Sequence, residues 1–333
     1  MGKVITIGEL MMRLTPKNKE RLNQANEFKS YYGGAEANVA MSLSKFGHES
    51  SFLSIIPQND IGDAALSYLA GGGVNTSWVF REGNRLGIYY YEEGYSLKQA
   101  KVIYDRDYSA IHYLPDIEID WETVFMDIDI LHITGITPAL SEKMKDFTLK
   151  AIAEAKKFSL KVSFDFNYRG KLWSINKAKQ TYLDILPYVD ICFAGYKDFI
   201  YILGEVAHNS FSEKKLAKFF KYYTHKYDIE VFAATDRQIT SATQNSIQGY
   251  LYQEGQLYTS EVYEFDILER IGGGDAFTAG ILHGIMSSMD STETVEFGTA
   301  SGVLKHMVYG DHNRYTQSEI KEFLKNRGMD VSR

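Results

Sequence analysis

The sequence predicts an α/β fold: a central, mostly parallel sheet flanked by helices, with a small β-sheet set apart from it. Two observations predict it. Short apolar runs alternate with helical patterns along most of the 333 residues, as a series of β-α-β units requires. The alternation breaks at about 14–32 and 84–112, where aromatic residues replace buried aliphatics and helical periodicity is missing. No repeat or low-complexity linker divides the chain. One domain over residues 1–333, carrying a small inserted sheet, is the economical reading.

The elements follow in order. Residues 4–8 read as a strand ending in Gly8, and 37–46 as a helix stopped by Gly47. Residues 51–55 are the next strand, and 60–69 a helix stopped by Gly71, Gly72 and Gly73. Residues 87–91 and 101–105 read as a pair of strands in the interruption. The alternation resumes with a strand at 128–133 and a helix at about 141–157. Then come strand 160–166, helix 178–186, strand 189–193, helix 212–223 and strand 229–234. Residues 249–253 and 257–261 read as a hairpin. Helices at 275–288 and about 292–306 close the pattern.

Composition sets limits on partners. The chain is 44% hydrophobic and 24% charged, ordinary for a soluble globular protein. A net charge of −7 argues against non-specific nucleic-acid binding. An anionic substrate would therefore need a local basic pocket. Cys192 is the single cysteine, so no disulfide forms within the chain and a reducing compartment fits. It lies in the apolar run 189–193, the setting of a buried structural thiol. No signal peptide and no apolar run long enough to cross a bilayer stands out, so a cytoplasmic location without a membrane partner is expected. Met1-Gly2 fits a loose myristoylation pattern, but Val4, Ile5 and Ile7 read as a buried first strand. Gly170-Lys171 is followed by Leu172, which is no Walker A sequence, and the eight histidines show no zinc spacing.

Ligands of such a sheet gather at the carboxyl ends of its strands. The polar residues there are Glu9, then Asn167 and Arg169, then Lys197 and Asp198, then Thr235, Asp236 and Arg237. The richest stretch is Ile271-Gly272-Gly273-Gly274-Asp275-Ala276-Phe277-Thr278-Ala279-Gly280. Glycines and a helix start together present unpaired N–H groups and the positive end of a dipole, a site for an anion. An acid at its edge is placed to take a hydroxyl proton. The alternative is a glycine-rich turn with Asp275 as a helix cap.

A second motif decides more than either alone. Tyr32-Gly33-Gly34-Ala35-Glu36-Ala37-Asn38-Val39-Ala40, followed much later by the stretch with Asp275, resembles the two signatures of ribokinase-like (PfkB) carbohydrate kinases. The resemblance covers residues 3–325. Within that family the likeness is to 2-keto-3-deoxygluconate kinases. It rests on Gly33–Asn38, Arg85-Leu86-Gly87-Ile88-Tyr89, Val102-Ile103-Tyr104-Asp105-Arg106, Asp165-Phe166-Asn167-Tyr168-Arg169 with Leu172-Trp173, and Gly310-Asp311-His312.

The resemblance implies ATP and Mg²⁺ as cosubstrates and phosphorylation of a sugar acid's primary hydroxyl. Asp275 would be the base, and the N–H groups of Gly272, Gly273 and Gly274 would hold the transferring phosphoryl oxygens. Arg106 and Arg169 would meet the acid's carboxylate. Tyr89 and Tyr104 would close over the sugar as lid residues, Gly34 would admit it to the backbone, and Asn38 and Asp311 would bind hydroxyls. Asn167, Arg169, Thr235 and Arg237 would face the nucleotide, together with Gly272 and Gly274. The lid sheet would also join two copies of the chain. Metal ligands are not identified.

Plainer readings stand beside these. Tyr89 and Tyr104 belong to a chain with 24 tyrosines and could be strand residues. Arg106 could be surface charge, Asn38 a helix cap and Asp311 a turn residue.

The pattern also departs from the family's. Glu269 stands for an Asp, Arg270 for a hydroxyl residue and Gly273 for an Ala. Arg270 puts a monovalent-cation site of the ribokinase type in doubt. Gly195-Tyr196-Lys197-Asp198 stands where the family's Asn-x-x-Glu would be. Two competing functions follow: a kinase for a neutral ketose or nucleoside, and a non-catalytic sugar-binding protein of the same fold. A dehydrogenase is disfavoured because Gly8-Glu9-Leu10-Met11 is no dinucleotide fingerprint.

Overall fold

The computed structural model describes residues 1–206 and 211–326. Its strands are β1 (Lys3–Ile7), β2 (Met11–Pro16), β3 (Phe28–Gly33), β4 (Glu49–Ile56), β5 (Val79–Arg81), β6 (Gly87–Glu92), β7 (Lys101–Asp105), β8 (Ile130–Thr134), β9 (Lys161–Asp165), β10 (Ile191–Phe193), β11 (Val231–Ile239), β12 (Gln244–Gln253), β13 (Gln256–Thr259) and β14 (Tyr263–Asp266). Among the described residues they form a large sheet in the order β13-β12-β11-β10-β9-β8-β1-β4-β5, with β14 also on β12, and a four-stranded sheet in the order β3-β2-β6-β7.

From β5 to β11 every neighbouring pair in the large sheet is parallel; β12, β13 and β14 add an antiparallel end. The strands are buried on both faces, and alternate residues enter opposite cores. Ile5, Ile7, Leu131, Ile133 and Cys192 pack on one side. Val4, Ile130, Ile191 and Phe193 pack on the other. Cys192 is fully buried, as its apolar run suggests.

Three helices on the second side carry or brace the site: α1 (Ala35–Lys45), α2 (Gly273–Met286) and α3 (Ser291–Lys305). The α2 and α3 helices meet where Gly280 faces Gly298; a Cβ on Gly280 would lie 2.6 Å from the Gly298 Cα. Only glycines allow so close an approach, and it holds the site helix rigidly against its neighbour.

Two expectations change in detail. Thr235, Asp236 and Arg237 do not follow a strand; they lie inside β11, which runs on to Ile239 because β12 pairs with it as far as Asn245. Local pattern cannot show this, since the extension is made by antiparallel partners and its outer residues are polar. In the interrupted regions, β2 begins at Met11, ahead of residue 14. Residues Ala110, Ile111 and Leu114 return to burial, with Ile111 and Leu114 in the main core. The four-stranded sheet is thus made by β2, β3, β6 and β7, with β3 and β7 as its two outer strands.

Candidate active site

A cleft of about 1220 Å³ lies between the two sheets, at the carboxyl ends of β9 and β10. Every residue expected at the site lines it: Gly34, Asn38, Tyr89, Tyr104, Arg106, Asn167, Arg169, Thr235, Arg237, Gly272, Gly273, Gly274, Asp275 and Asp311. These residues come from distant parts of the chain, so the fold assembles one pocket from the two motifs.

The floor is the start of α2. Gly272 caps the helix with φ 83°, a left-handed conformation that favours glycine. A Cβ there would also lie 1.6 Å from the Asp311 carbonyl oxygen. A Cβ on Gly273 would meet His306 Cε1 at 2.1 Å, so the histidine ring occupies the room an alanine would need. Nothing lies within 4 Å of the Cβ position on Gly274, where the turn opens. Asp275 follows in the first helical turn, and Asn38 Nδ2 donates to its Oδ2 at 2.7 Å. Asn38 is therefore turned toward the acid, while its own Oδ1 is buried without a partner.

Three carboxylates crowd this floor. Burial raises Asp275 from 3.8 to about 7, against the lowering influence of Asn38 and Arg169. Burial, then the charges of Asp275 and Asp198, raise Asp165 to about 8. Burial raises Asp198 to about 6, while the Gly195 N–H and Arg169 work against it. Asn167 has φ 35°, a strained conformation for a side-chain-bearing residue, and its N–H donates to Asp165 Oδ1 at 3.0 Å. Strain of this kind is kept where surrounding contacts force it, often beside a ligand site.

The other end is built on β6, β7 and the loop after β1. Tyr89 and Tyr104 face one another in register, with ring centroids 5.9 Å apart. Arg106 is not surface charge; it is 7% exposed and its guanidinium contacts Glu9 Oε2. Ser109 Oγ donates to the other Glu9 oxygen at 2.6 Å, and Arg106 Nε is left without a partner. The carbonyl of Glu9 would lie 1.9 Å from a Cβ on Gly34, which explains the glycine there. Asp311 is not a solvated turn residue either. Its Oδ2 receives the Tyr89 hydroxyl and its Oδ1 lies 3.2 Å from Arg13 Nε.

Arg13 was not singled out by sequence. It is fully buried, and its Nη2 lies 2.8 Å from Glu269 Oε2. Its guanidinium also stacks 4.3 Å from the Tyr31 ring. The opposing charges of Asp311 and Glu269 outweigh burial and raise its pKa. Burial lowers Lys305, the second cation of this group, to about 8. The available signal was alternation: Met11, Arg13 and Thr15 occupy the buried positions of β2.

Residues 1–314 match the pfkB family of carbohydrate kinases. The chain belongs to the PfkB carbohydrate kinases. The crystal structure of 2-dehydro-3-deoxygluconokinase from Thermotoga maritima is 35% identical, with TM-score 0.94, covering 98% of this chain and 100% of that one. A PfkB family carbohydrate kinase from Listeria grayi is 39% identical, with TM-score 0.93, over 97% of this chain and all of the other. The 2-dehydro-3-deoxygalactonokinase of Haloferax volcanii is 29% identical over 332 residues, which is 100% of this chain and 99% of that protein. The fold is the ribokinase-like fold of these PfkB structures.

Two departures of this kinase from the family pattern now have physical accounts. Glu269 Oε1 accepts the Arg270 N–H at 3.0 Å while Oε2 pairs with Arg13, so the acid caps the turn into the glycine run and ties it to β2. His306 fills the space over Gly273. Among the described residues no helix is long and apolar enough to cross a membrane.

Proposed function

We propose that this kinase transfers the γ-phosphoryl group of ATP to the primary hydroxyl of a sugar acid, with 2-keto-3-deoxy-D-gluconate giving its 6-phosphate. Arg106 carries the reading: a buried guanidinium at the sugar end, with Nε unpartnered and oriented by Glu9. Such a group suits a carboxylate in two-point geometry. The 2-dehydro-3-deoxy sugar-acid kinases named among its relatives support it.

In the proposed reaction Asp275 takes the proton of the attacking hydroxyl. The hydroxyl oxygen bonds to the γ-phosphorus as the bond to the bridging oxygen breaks, and ADP leaves with that electron pair. The α2 N-terminus and the N–H groups of the glycine turn hold the equatorial oxygens. Tyr89 and Tyr104 cover the sugar and exclude water. Asn38 orients the base, and Asp311, held by Tyr89 and Arg13, presents its carboxylate at the sugar end.

Mg²⁺ fits this floor, because Asp165 and Asp198 are hard oxygen donors lining the cleft, and the charges of Asp275 and Asp198 add to burial in raising Asp165. No group of three His, Cys, Asp or Glu residues among those described could hold a metal by itself. Asp165 and Asp198 would hold the ion together with the nucleotide phosphates and water. Bound there, it supplies charge neutralisation to the transferring phosphate.

The base works only when ionised. With its pKa raised from 3.8 toward about 7, activity rises with pH and is lost as pH falls through that value. The acid limb of kcat/KM against pH should lie near neutrality; a limb near 4 would separate the rate from Asp275.

A specific observation favours a second reading. Glu9 neutralises Arg106, and a neutral ketose needs no free cation. A coupled assay of ADP release across 2-keto-3-deoxy acids and neutral ketoses separates the two, and turnover of fructose or ribose alone would overturn the sugar-acid reading. On that reading, Arg106→Ala should raise KM for the keto-deoxy acid by about 10–100-fold, the loss of a charge-assisted pair. KM for fructose should change far less, and equal changes would remove the specificity argument.

A further inference from the structure

Two arginines on the wall of the cleft have no counter-charge. Arg270 stands just before the glycine turn, and Arg237 lies on β11. Neither guanidinium has an ion-pair or hydrogen-bond partner among the described residues. Arg270 nevertheless acts on Arg237: burial, then the Arg270 charge, lowers Arg237 to about 10. Arg237 is exposed and Arg270 half-buried, and both line the cleft, so an anion entering it can meet both guanidinium groups, although the chain as a whole has a net charge of −7.

A third group lies beside the same turn. Burial, with the charges of Lys305, Arg237 and Arg270, lowers His306 to about 4, while its hydrogen bond to the Gly302 carbonyl works the other way. The His306 ring lies against Gly273. His306 is 2% exposed, and its Nε2 has no partner. Arg270 lies two residues before Gly272, and β11 lies on the far side of β10, β9 and β8 from β1 in the sheet, so Arg237 stands at the end of the cleft away from Glu9 and Arg106. Asn38 and Asp275 are hydrogen-bonded to one another, while Arg106 belongs to the Glu9 group. The motif's hydroxyl residue has been exchanged for a cation here, and the sugar end has a guanidinium of its own.

We propose that Arg237 and Arg270 form a guanidinium clamp on the α- and β-phosphates of the nucleoside triphosphate donor. The proposal rests on the kinase reading and adds the residues that hold the donor's phosphate chain. Guanidinium matches phosphate oxygens in two-point geometry. The bond broken in transfer leaves its electron pair on a β-phosphate oxygen, so fixed cations there stabilise charge that grows in the transition state. The clamp would act on ATP and on ADP, because both carry the two phosphates it grips.

Calorimetric titration of the full chain without sugar tests this. ATP, ADP, AMP and adenosine are each titrated into wild type, Arg237→Gln, Arg270→Gln and the double variant. Dissociation constants for ATP and ADP should rise about tenfold or more in each single variant, as expected when a charge-assisted bond is lost. Those for adenosine should stay within about twofold, with AMP between. Arg237→Lys and Arg270→Lys keep the charge without the fork and should recover part of the loss, which also guards against a folding defect. In turnover, the glutamine variants should lower kcat as well as raise KM for ATP. Equal losses for ATP and adenosine, or unchanged ATP and ADP binding, would overturn the clamp. Because no sugar is present, failure of the sugar-acid reading leaves these titrations intact and is detected separately by the substrate panel.

Discussion

Asp275→Asn should lower kcat by about 10²–10⁴-fold, the range for loss of a general base, while ATP still binds. The substitution is nearly isosteric, and Asn38 Nδ2 can still donate to the amide oxygen placed where Oδ2 stood. The glycine turn keeps its geometry, because that depends on Gly272 against Asp311 and Gly273 against His306, not on the acid. Stability should not fall. Burial raises the folded-state pKa of Asp275 above its ordinary 3.8, so the ionised carboxylate already opposes folding above that ordinary value and its removal relieves the opposition. Loss of an acid from the first helical turn works the other way by about 0.3–1 kcal/mol. Activity and stability should therefore separate: a melting temperature no lower than that of wild type and a similar ATP titration beside a collapsed turnover. Near-normal turnover would remove Asp275 as the base.

The two ends of this site were unequally legible in sequence. The floor could be read because its chemistry is contiguous: three glycines, an acid and a helix lie within ten residues, and backbone N–H groups need no distant partner. Gly33–Asn38 is contiguous in the same way. What sequence could not show is pairing across the chain. Arg106 could be named as a cation, but that Glu9 holds it, 97 residues away, follows only from where β1 and β7 end. In sequence Glu269 is only a departure, standing where the family has an Asp. Its longer side chain reaches both its own turn and Arg13, which is 256 residues distant. The same limit hid the extension of β11, which depends on β12 rather than on its own residues. The strand-helix alternation was legible along the inner parallel strands, where burial on both faces leaves a local record, whereas the short strands β5 and β14, each with residues left exposed or half-buried, left none.

Arg13 is where that hidden pairing should matter most. Arg13→Met should destabilise the protein by about 3–5 kcal/mol, the usual cost of removing one partner from a buried ion pair. The guanidinium is fully buried between two carboxylates that are each 1% exposed. Without it, Lys305 alone faces Glu269 and Asp311, and burial already lowers Lys305 to about 8. The consequence should reach the chemistry. Glu269 caps the backbone entering Gly272, the Asp311 carbonyl sits against Gly272, and Tyr89 hangs on Asp311. Loosening Arg13 thus loosens the glycine turn and Tyr89 together, so on the proposed function kcat and sugar KM should both worsen. Adding Glu269→Gln to Arg13→Met removes one of the stranded charges. The double variant should be more stable than Arg13→Met alone, as coupled neighbours in one network behave. Denaturant midpoints of the two single variants, the double variant and wild type measure that coupling. A midpoint for Arg13→Met equal to that of wild type, or strictly additive losses, would show that the lid strand and the catalytic turn are held together by something other than this buried pair.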